Sequence, residues 1–152
     1  MTLLDNGHRY EAEVTADLQA RGWRVQPFGQ GLLSPLTRAW LGRSVYPVRW
    51  LPDLIAARRD ALAFIDAKRS LRVDRHAVEE LAVRSAIGFE AWNHLAEFYV
   101  FPDGCVARPA TVRAYGVQGV AERTRASTGK PFLLISCTDC RHVDEVFGKR
   151  HP

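Results

Sequence analysis

Two strand-like runs separated by only two residues constrain the fold of this chain more than any other feature of the sequence. The runs are Leu51–Arg58 and Ala61–Lys68, and Arg59-Asp60 lies between them. So short a connection predicts a β-hairpin with a two-residue turn. The register of that hairpin sets Asp53 directly opposite Asp66.

The opposed carboxylates of Asp53 and Asp66 predict a cation site. Directly opposed residues point to the same face of a hairpin with Cβ atoms about 4.5–5.5 Å apart, and two carboxylates at that distance repel each other. Mg²⁺ suits them because it takes oxygen ligands and keeps several waters. Lys68 shares the face of Asp66, since strand side chains alternate, and can hold a water or stabilise phosphoryl charge. The alternative is a turn role for Asp53 and a surface ion pair between Asp66 and Lys68.

A helix over residues 7–21 is predicted to supply a third acid. Tyr10, Val14 and Leu18 recur at helical spacing and define its apolar face. Glu11 borders that face, where an unpaired carboxylate is costly to bury. A metal held by the neighbouring sheet would be a partner for Glu11, and a capping or structural ion-pair role is the alternative.

The remaining pattern predicts an α/β domain of order α-β-β-β-α-β, built around one central mixed sheet flanked by helices, with a C-terminal extension. The length of 152 residues fits a single domain. The stretch 29–49 is rich in Gly and Pro, and such long irregular segments are often functional. The other predicted elements are a strand at 23–28, a helix from Asp74 to about Ile87, strands at 98–101, 105–107 and 132–136, a helical region within 111–126 and a last helix near 139–147.

Positive charge is concentrated in the middle of the sequence. The chain carries a formal net charge of +4, and nine Lys and Arg residues against four Asp residues lie between Arg38 and Arg75. Such a segment can attract phosphates, the alternative being a solvated arginine-rich face. The cationic and aromatic residues of this segment suit phosphate contact and base stacking, unless the tryptophans form a small core under the loop. The candidate nucleic-acid-binding residues are Arg38, Trp40, Arg43, Arg49, Arg69 and Arg72.

The cysteines and the hydropathy pattern indicate the cellular compartment of the protein. Three cysteines without a disulfide pattern predict a reducing compartment, and the lack of a long apolar run predicts a cytoplasmic protein with no membrane partner. Cys137 and Cys140 followed by His142 hint at zinc, but no second Cys pair accompanies them. Free thiols are therefore favoured over a zinc site. His76 is expected to have no partner at ligand spacing.

Three short motifs together resemble the PD-(D/E)XK nuclease superfamily. They are Gly7-x-x-x-Glu11 on the first helix, Pro52-Asp53 at the start of a strand, and Asp66-Ala67-Lys68 on the next strand. The helix motif followed by a glycine-containing loop is similar to Holliday-junction-resolvase-like members. The resemblance covers residues 7–101 and leaves residues 102–152 as a C-terminal extension. This sequence differs from the resolvase pattern by a long insertion at residues 30–49.

The resemblance implies a restriction-endonuclease-like core and a Mg²⁺-dependent DNA endonuclease, with Mn²⁺ as an alternative ion. It implies that Asp53 and Asp66 bind the metal, that Glu11 supports the metal or its water, and that Lys68 positions the nucleophile. Branched or recombination DNA is the substrate class that this likeness suggests, and a homodimer is an expected assembly. A non-catalytic DNA-binding module with the same fold is the alternative function.

Overall fold

A six-stranded mixed sheet forms the centre of the computed structural model, which describes residues 3–41, 47–69, 74–119 and 130–152. Strands β1–β9 span Arg24–Pro27, Leu54–Arg58, Ala61–Ala67, Arg75–Glu79, Ala96–Val100, Cys105–Ala107, Val117–Gly119, Phe132–Ser136 and Arg141–His142. Helices α1–α5 span Leu3–Ala20, Pro35–Leu41, Glu80–Asn93, Pro109–Tyr115 and Val143–Phe147. Within the described residues the strand order of the central sheet is β1-β2-β3-β5-β6-β9, and β3 and β5 are parallel. A separate antiparallel sheet has the order β4-β8-β7.

The register predicted for the β2–β3 hairpin is confirmed. Arg58 pairs with Ala61 across a two-residue turn, in which Arg59 adopts a positive φ of 55°. Strand β2 begins at Leu54 rather than at Leu51. Asp53 directly precedes the strand, and its backbone N–H donates at 3.0 Å to the carbonyl oxygen of Ile65, the residue that pairs with Leu54.

The central sheet is covered on both faces. The apolar face predicted for α1 packs on one side, where Tyr10, Val14 and Leu18 join a buried cluster with residues of β2, β3 and β5. Side chains of α3, α4 and the second sheet cover the other side, around Tyr99 and Phe101. Each apolar cluster buries one face of the central sheet. This burial of apolar surface is the main stabilising contribution to such a layered domain.

The helix predicted from Asp74 is wrong at both ends. Residues 75–79 form strand β4, in which His76 and Val78 are buried while the residues between them are exposed, and this alternation is typical of a strand. The helix begins at Glu80 and continues through Gly88, where an added Cβ would have no neighbour within 4 Å. It ends at Asn93, because the following His94 adopts a left-handed conformation.

The C-terminal segment is built into both sheets rather than appended to them. Strand β8 pairs with β4 and β7, and β9 pairs with β6 at the edge of the central sheet. The predicted central mixed sheet is confirmed, and the described residues add a second, antiparallel sheet that the sequence did not predict. The predicted helical region within 111–126 contains the end of α4 and strand β7 among its described residues. Arg21 joins α1 to this segment by donating to Asp144 and to the carbonyl oxygen of Gly148.

The predicted irregular stretch 29–49 contains short helical elements where it is described. They are 3₁₀ turns at Gly29–Leu32 and Pro47–Trp50, and helix α2. Among the described helices, none combines the length and the apolar composition that crossing a bilayer requires.

Candidate metal-binding and catalytic site

Two aspartates and a lysine lie together at the open end of the β2–β3 hairpin, opposite its turn. Asp66 is only 7% exposed, and its Oδ2 atom lies 2.8 Å from the Nζ atom of Lys68. Asp53 lies across the hairpin, where its Oδ2 atom accepts a hydrogen bond of 3.0 Å from the backbone N–H of Ala67. The structure therefore brings together three of the four predicted catalytic residues.

Strand alternation explains why these side chains share a face. Phe64, Asp66 and Lys68 project from the same side of the chain at β3, and Phe64 packs against Phe89 of α3 with ring centroids 4.9 Å apart. The backbone N–H of Lys68 donates to the carbonyl oxygen of Val100 at 3.0 Å, which extends the pairing of β3 with β5 by one residue. The apolar part of the strand thus anchors the charged part.

The electrostatics of the site favour an added positive charge. Burial, followed by the charge of Asp66, raises the pKa of Asp53 well above its ordinary value. Burial lowers the pKa of Lys68, but the carboxylates of Asp66 and Asp53 outweigh that effect and the net shift is upward. Asp53 thus resists ionisation although Lys68 stays charged beside it.

The donor set fits a hard divalent cation. Two carboxylates offer oxygen atoms at this site, and the contact described above for each of them engages only one of its two oxygens. Mg²⁺ and Mn²⁺ are bound in this way, by one or two carboxylates with water in the remaining positions. A cation there would also relieve the repulsion that disfavours ionisation of Asp53.

Glu11 lies close to this site but is held by an arginine. Its carboxylate accepts two hydrogen bonds from Arg38, at 2.8 and 3.1 Å, and its charge contributes to the raised pKa of Asp53. The ion-pair alternative for Glu11 is therefore realised, with an arginine from the segment expected to bind nucleic acid. Glu11 remains within electrostatic reach of the two aspartates.

Sequence reasoning missed Glu97, a fourth acid close to the site. Glu97 lies opposite Phe64 on β5 and is fully buried. Burial, followed by the charge of Asp66, raises its pKa to about 8. Neither carboxylate oxygen has a hydrogen-bond partner among the described residues. A lone acid within the apolar run of residues 96–101 was the available signal.

The candidate nucleic-acid-binding residues lie in different environments. Trp40 is 66% exposed, and Arg69, directly after Lys68, is also exposed. Arg49 is partly buried between Glu79, at 3.8 Å, and the ring of Trp50. Arg43 and Arg72 lie outside the described residues.

A second group of ligand-type side chains occurs where the two sheets meet. His76, Asp103, Cys105 and Cys137 each offer one ligand atom, and these atoms lie within 4.8 Å of one another. The expectation that His76 has no ligand partner is therefore wrong. The partners come from distant parts of the sequence, so their spacing carried no signal.

Comparison with solved structures identifies a known fold. No protein-family profile and no curated protein sequence matches the chain. The structure is similar to that of Hjc, a Holliday junction resolvase from the archaeal hyperthermophile Archaeoglobus fulgidus, with a TM-score of 0.59 and 16% sequence identity over 97% of this chain and 99% of that chain. The chain has the fold of a Holliday junction resolvase.

This result confirms the predicted nuclease-like fold, with a central mixed sheet flanked by helices. A second similar structure is that of D212, a nuclease from a fusellovirus, with a TM-score of 0.49 and 10% identity over 97% of this chain and 92% of that chain. The likeness to Hjc extends across the C-terminal segment, which the motifs had left as an extension.

Proposed function

We propose that the protein is a metal-dependent DNA endonuclease that hydrolyses phosphodiester bonds, with Mg²⁺ as its ion, Mn²⁺ as a substitute and branched DNA as its substrate class. The observation that carries this proposal is that Asp53, Asp66 and Lys68 lie together at the ends of two inner strands of a resolvase-like sheet. The name of Hjc, a Holliday junction resolvase, supports the choice of branched DNA.

Each residue of the site has a distinct role in this proposal. Asp53 and Asp66 present carboxylate oxygens to the cation, and Lys68 holds the attacking water or stabilises charge on the phosphoryl group. Glu11 supports the metal or its water, and Arg38 fixes its carboxylate through the two hydrogen bonds. When bound, the cation would supply Lewis-acid stabilisation of the negative charge that develops on the phosphate.

Cleavage of a panel of DNA substrates tests the proposal. Linear duplex, single-stranded and four-way-junction DNA should be incubated with the protein in Mg²⁺, in Mn²⁺ and in excess EDTA. We expect cleavage of the junction with either ion and none in EDTA. Tight binding without cleavage of any substrate in either ion would favour the non-catalytic DNA-binding module instead.

The exposed Arg69 next to the site is proposed to contact a DNA phosphate. Arg69→Ala should weaken binding to all sequences equally and reduce the slope of log K against log salt by about one, because one fewer counterion is released. Fluorescence anisotropy across a salt series measures this slope. Arg141→Ala is the matched control, since Arg141 is also exposed but lies on β9 at the far edge of the central sheet. An unchanged slope in Arg69→Ala would remove Arg69 from the interface.

The homodimer and the cytoplasmic location stay predictions. Light scattering coupled to size-exclusion chromatography measures the first. A dimer would suit a four-way junction, which presents paired strands for two active sites.

A further inference from the structure

Four ligand-type side chains converge at the junction between the central sheet and the second sheet. The Oδ2 atom of Asp103 lies 2.9 Å from Nε2 of His76, 3.3 Å from Sγ of Cys105 and 3.1 Å from Sγ of Cys137. The Nε2 atom of His76 lies 3.2 Å from Sγ of Cys137. All four ligand atoms therefore point into one small volume.

These separations match the edges of a tetrahedral zinc site. Zinc–sulfur bonds of about 2.3 Å and zinc–nitrogen or zinc–oxygen bonds of about 2.0–2.1 Å give tetrahedral ligand-to-ligand edges of about 3.3–3.8 Å. The four atoms here lie 2.9 to 4.8 Å apart, so small side-chain shifts would bring them to those edges. One imidazole, one carboxylate and two thiols are all zinc ligand types, and a soft sulfur pair disfavours Mg²⁺.

The surroundings hold the imidazole in a ligating orientation. The side chain of His76 is 2% exposed, and its ring stacks on Phe101 with centroids 4.0 Å apart and planes at 8°. This stacking leaves the ring little rotational freedom and directs Nε2 at the other three ligand atoms. A preset ligand orientation is what supporting contacts provide in metal sites.

The four candidate ligands are contributed by segments that belong to the two different sheets. His76 lies on β4 of the second sheet, and Cys137 directly follows β8 of the same sheet. Cys105 lies on β6 of the central sheet, and Asp103 lies in the turn that joins β5 to β6. A bound ion would therefore link the two sheets at one point. Structural zinc sites stabilise small domains in this manner.

We propose that His76, Asp103, Cys105 and Cys137 form a structural zinc site that fastens the second sheet to the β5–β6 hairpin. The site shares no residue with the Asp53–Asp66 site, so it stands independently of the proposed nuclease activity. It revises the preference for free thiols, because the third and fourth ligands are His76 and Asp103 rather than a second pair of cysteines. Cys140, whose Sγ lies 3.5 Å from the carbonyl oxygen of Ser136, is left out of the ligand set.

The metal content of the purified protein tests this proposal. Protein prepared with a non-chelating reductant and dialysed against metal-free buffer should retain one zinc per chain, as measured by inductively coupled plasma mass spectrometry. After removal of zinc by a chelator, added Co²⁺ should give the thiolate-to-cobalt charge-transfer band and the intense visible bands of tetrahedral coordination. The same chelator treatment should lower Tm, and one equivalent of zinc should restore it.

Variants then assign the ligands. His76→Ala and Cys137→Ser should lose the zinc, whereas Asp139→Asn, in the same turn as Cys137, and His151→Ala should keep it. Asp66→Asn should also keep one zinc per chain, which separates this site from the proposed catalytic one. If the ligand variants fail to fold, the Co²⁺ spectrum of the unaltered chain still decides. Either of two results would overturn the proposal. One is a protein that holds no stoichiometric zinc and gives no cobalt charge-transfer band, and the other is a Cys105–Cys137 disulfide in the freshly purified protein.

Discussion

Asp66→Asn should reduce cleavage of a four-way junction by at least 10²–10³-fold while leaving DNA binding equal or tighter. The expected loss is of the size seen when one group that stabilises transition-state charge is removed. Binding should not weaken, because the substitution removes a negative charge that repels phosphate when no cation is bound. Asp53→Asn should behave in the same way, since the charge of Asp66 acts on the Asp53 carboxyl. Single-turnover cleavage in Mg²⁺ measures the first quantity, and fluorescence anisotropy in EDTA, where no divalent cation is bound, measures the second.

Lys68→Ala should separate charge effects from general damage to the site. Cleavage should again fall, but binding should weaken, because this substitution removes a positive charge next to Asp66. Asp60→Asn, in the exposed hairpin turn, and Lys149→Ala, near the C-terminus, are the matched controls and should retain activity. Weakened binding in the aspartate variants, or a loss of their cooperative unfolding, would instead assign the pair a structural role.

The second large effect concerns Glu97 and the stability of the fold at alkaline pH. The pKa of Glu97 is raised to about 8 in the folded chain from an ordinary value of 4.5, so the folded state binds more protons than the unfolded state between those values. Stability must then fall as pH rises through this window, by up to about 1.4 kcal/mol per pH unit. Glu97→Gln should remove the share of this dependence that Glu97 contributes, leaving that of Asp53, whose pKa is also raised, and should be more stable than the unaltered chain at pH 8.5.

Urea unfolding at pH 5.5 and pH 8.5, with EDTA present, measures the difference between the two chains. The gain of Glu97→Gln over the unaltered chain should be larger at pH 8.5 than at pH 5.5. Glu13→Gln is the control, because Glu13 is 59% exposed and its replacement should leave the pH dependence unchanged. A parallel response of the unaltered chain and Glu97→Gln would show that the buried carboxyl does not titrate in this window.

Local patterns in the sequence predicted the hairpin, the apolar face of α1 and the meeting of the acids. The two-residue connection at Arg59-Asp60 leaves few registers, so the position of Asp53 against Asp66 follows from backbone geometry alone. Helical spacing likewise places Tyr10 and its neighbours on a buried face. Both features depend on residues that are close in sequence.

Features that depend on distant partners escaped sequence reasoning. Asp74 has the residue type of a helix cap, but His76 and Val78 are drawn into a strand because β8, more than fifty residues later, offers a pairing edge. The Arg38–Glu11 pair and the convergence of Cys137 on His76 likewise join separate parts of the chain. Spacing along the sequence carries little information about such contacts.

Crystals soaked in Mn²⁺ test the central claim most directly, with anomalous scattering recorded on both sides of the manganese absorption edge. We expect a manganese peak bonded to carboxylate oxygens of both Asp53 and Asp66, and its loss in crystals of Asp66→Asn. The proposed metal site would be contradicted if a protein that cleaves DNA showed a manganese peak elsewhere and none between Asp53 and Asp66.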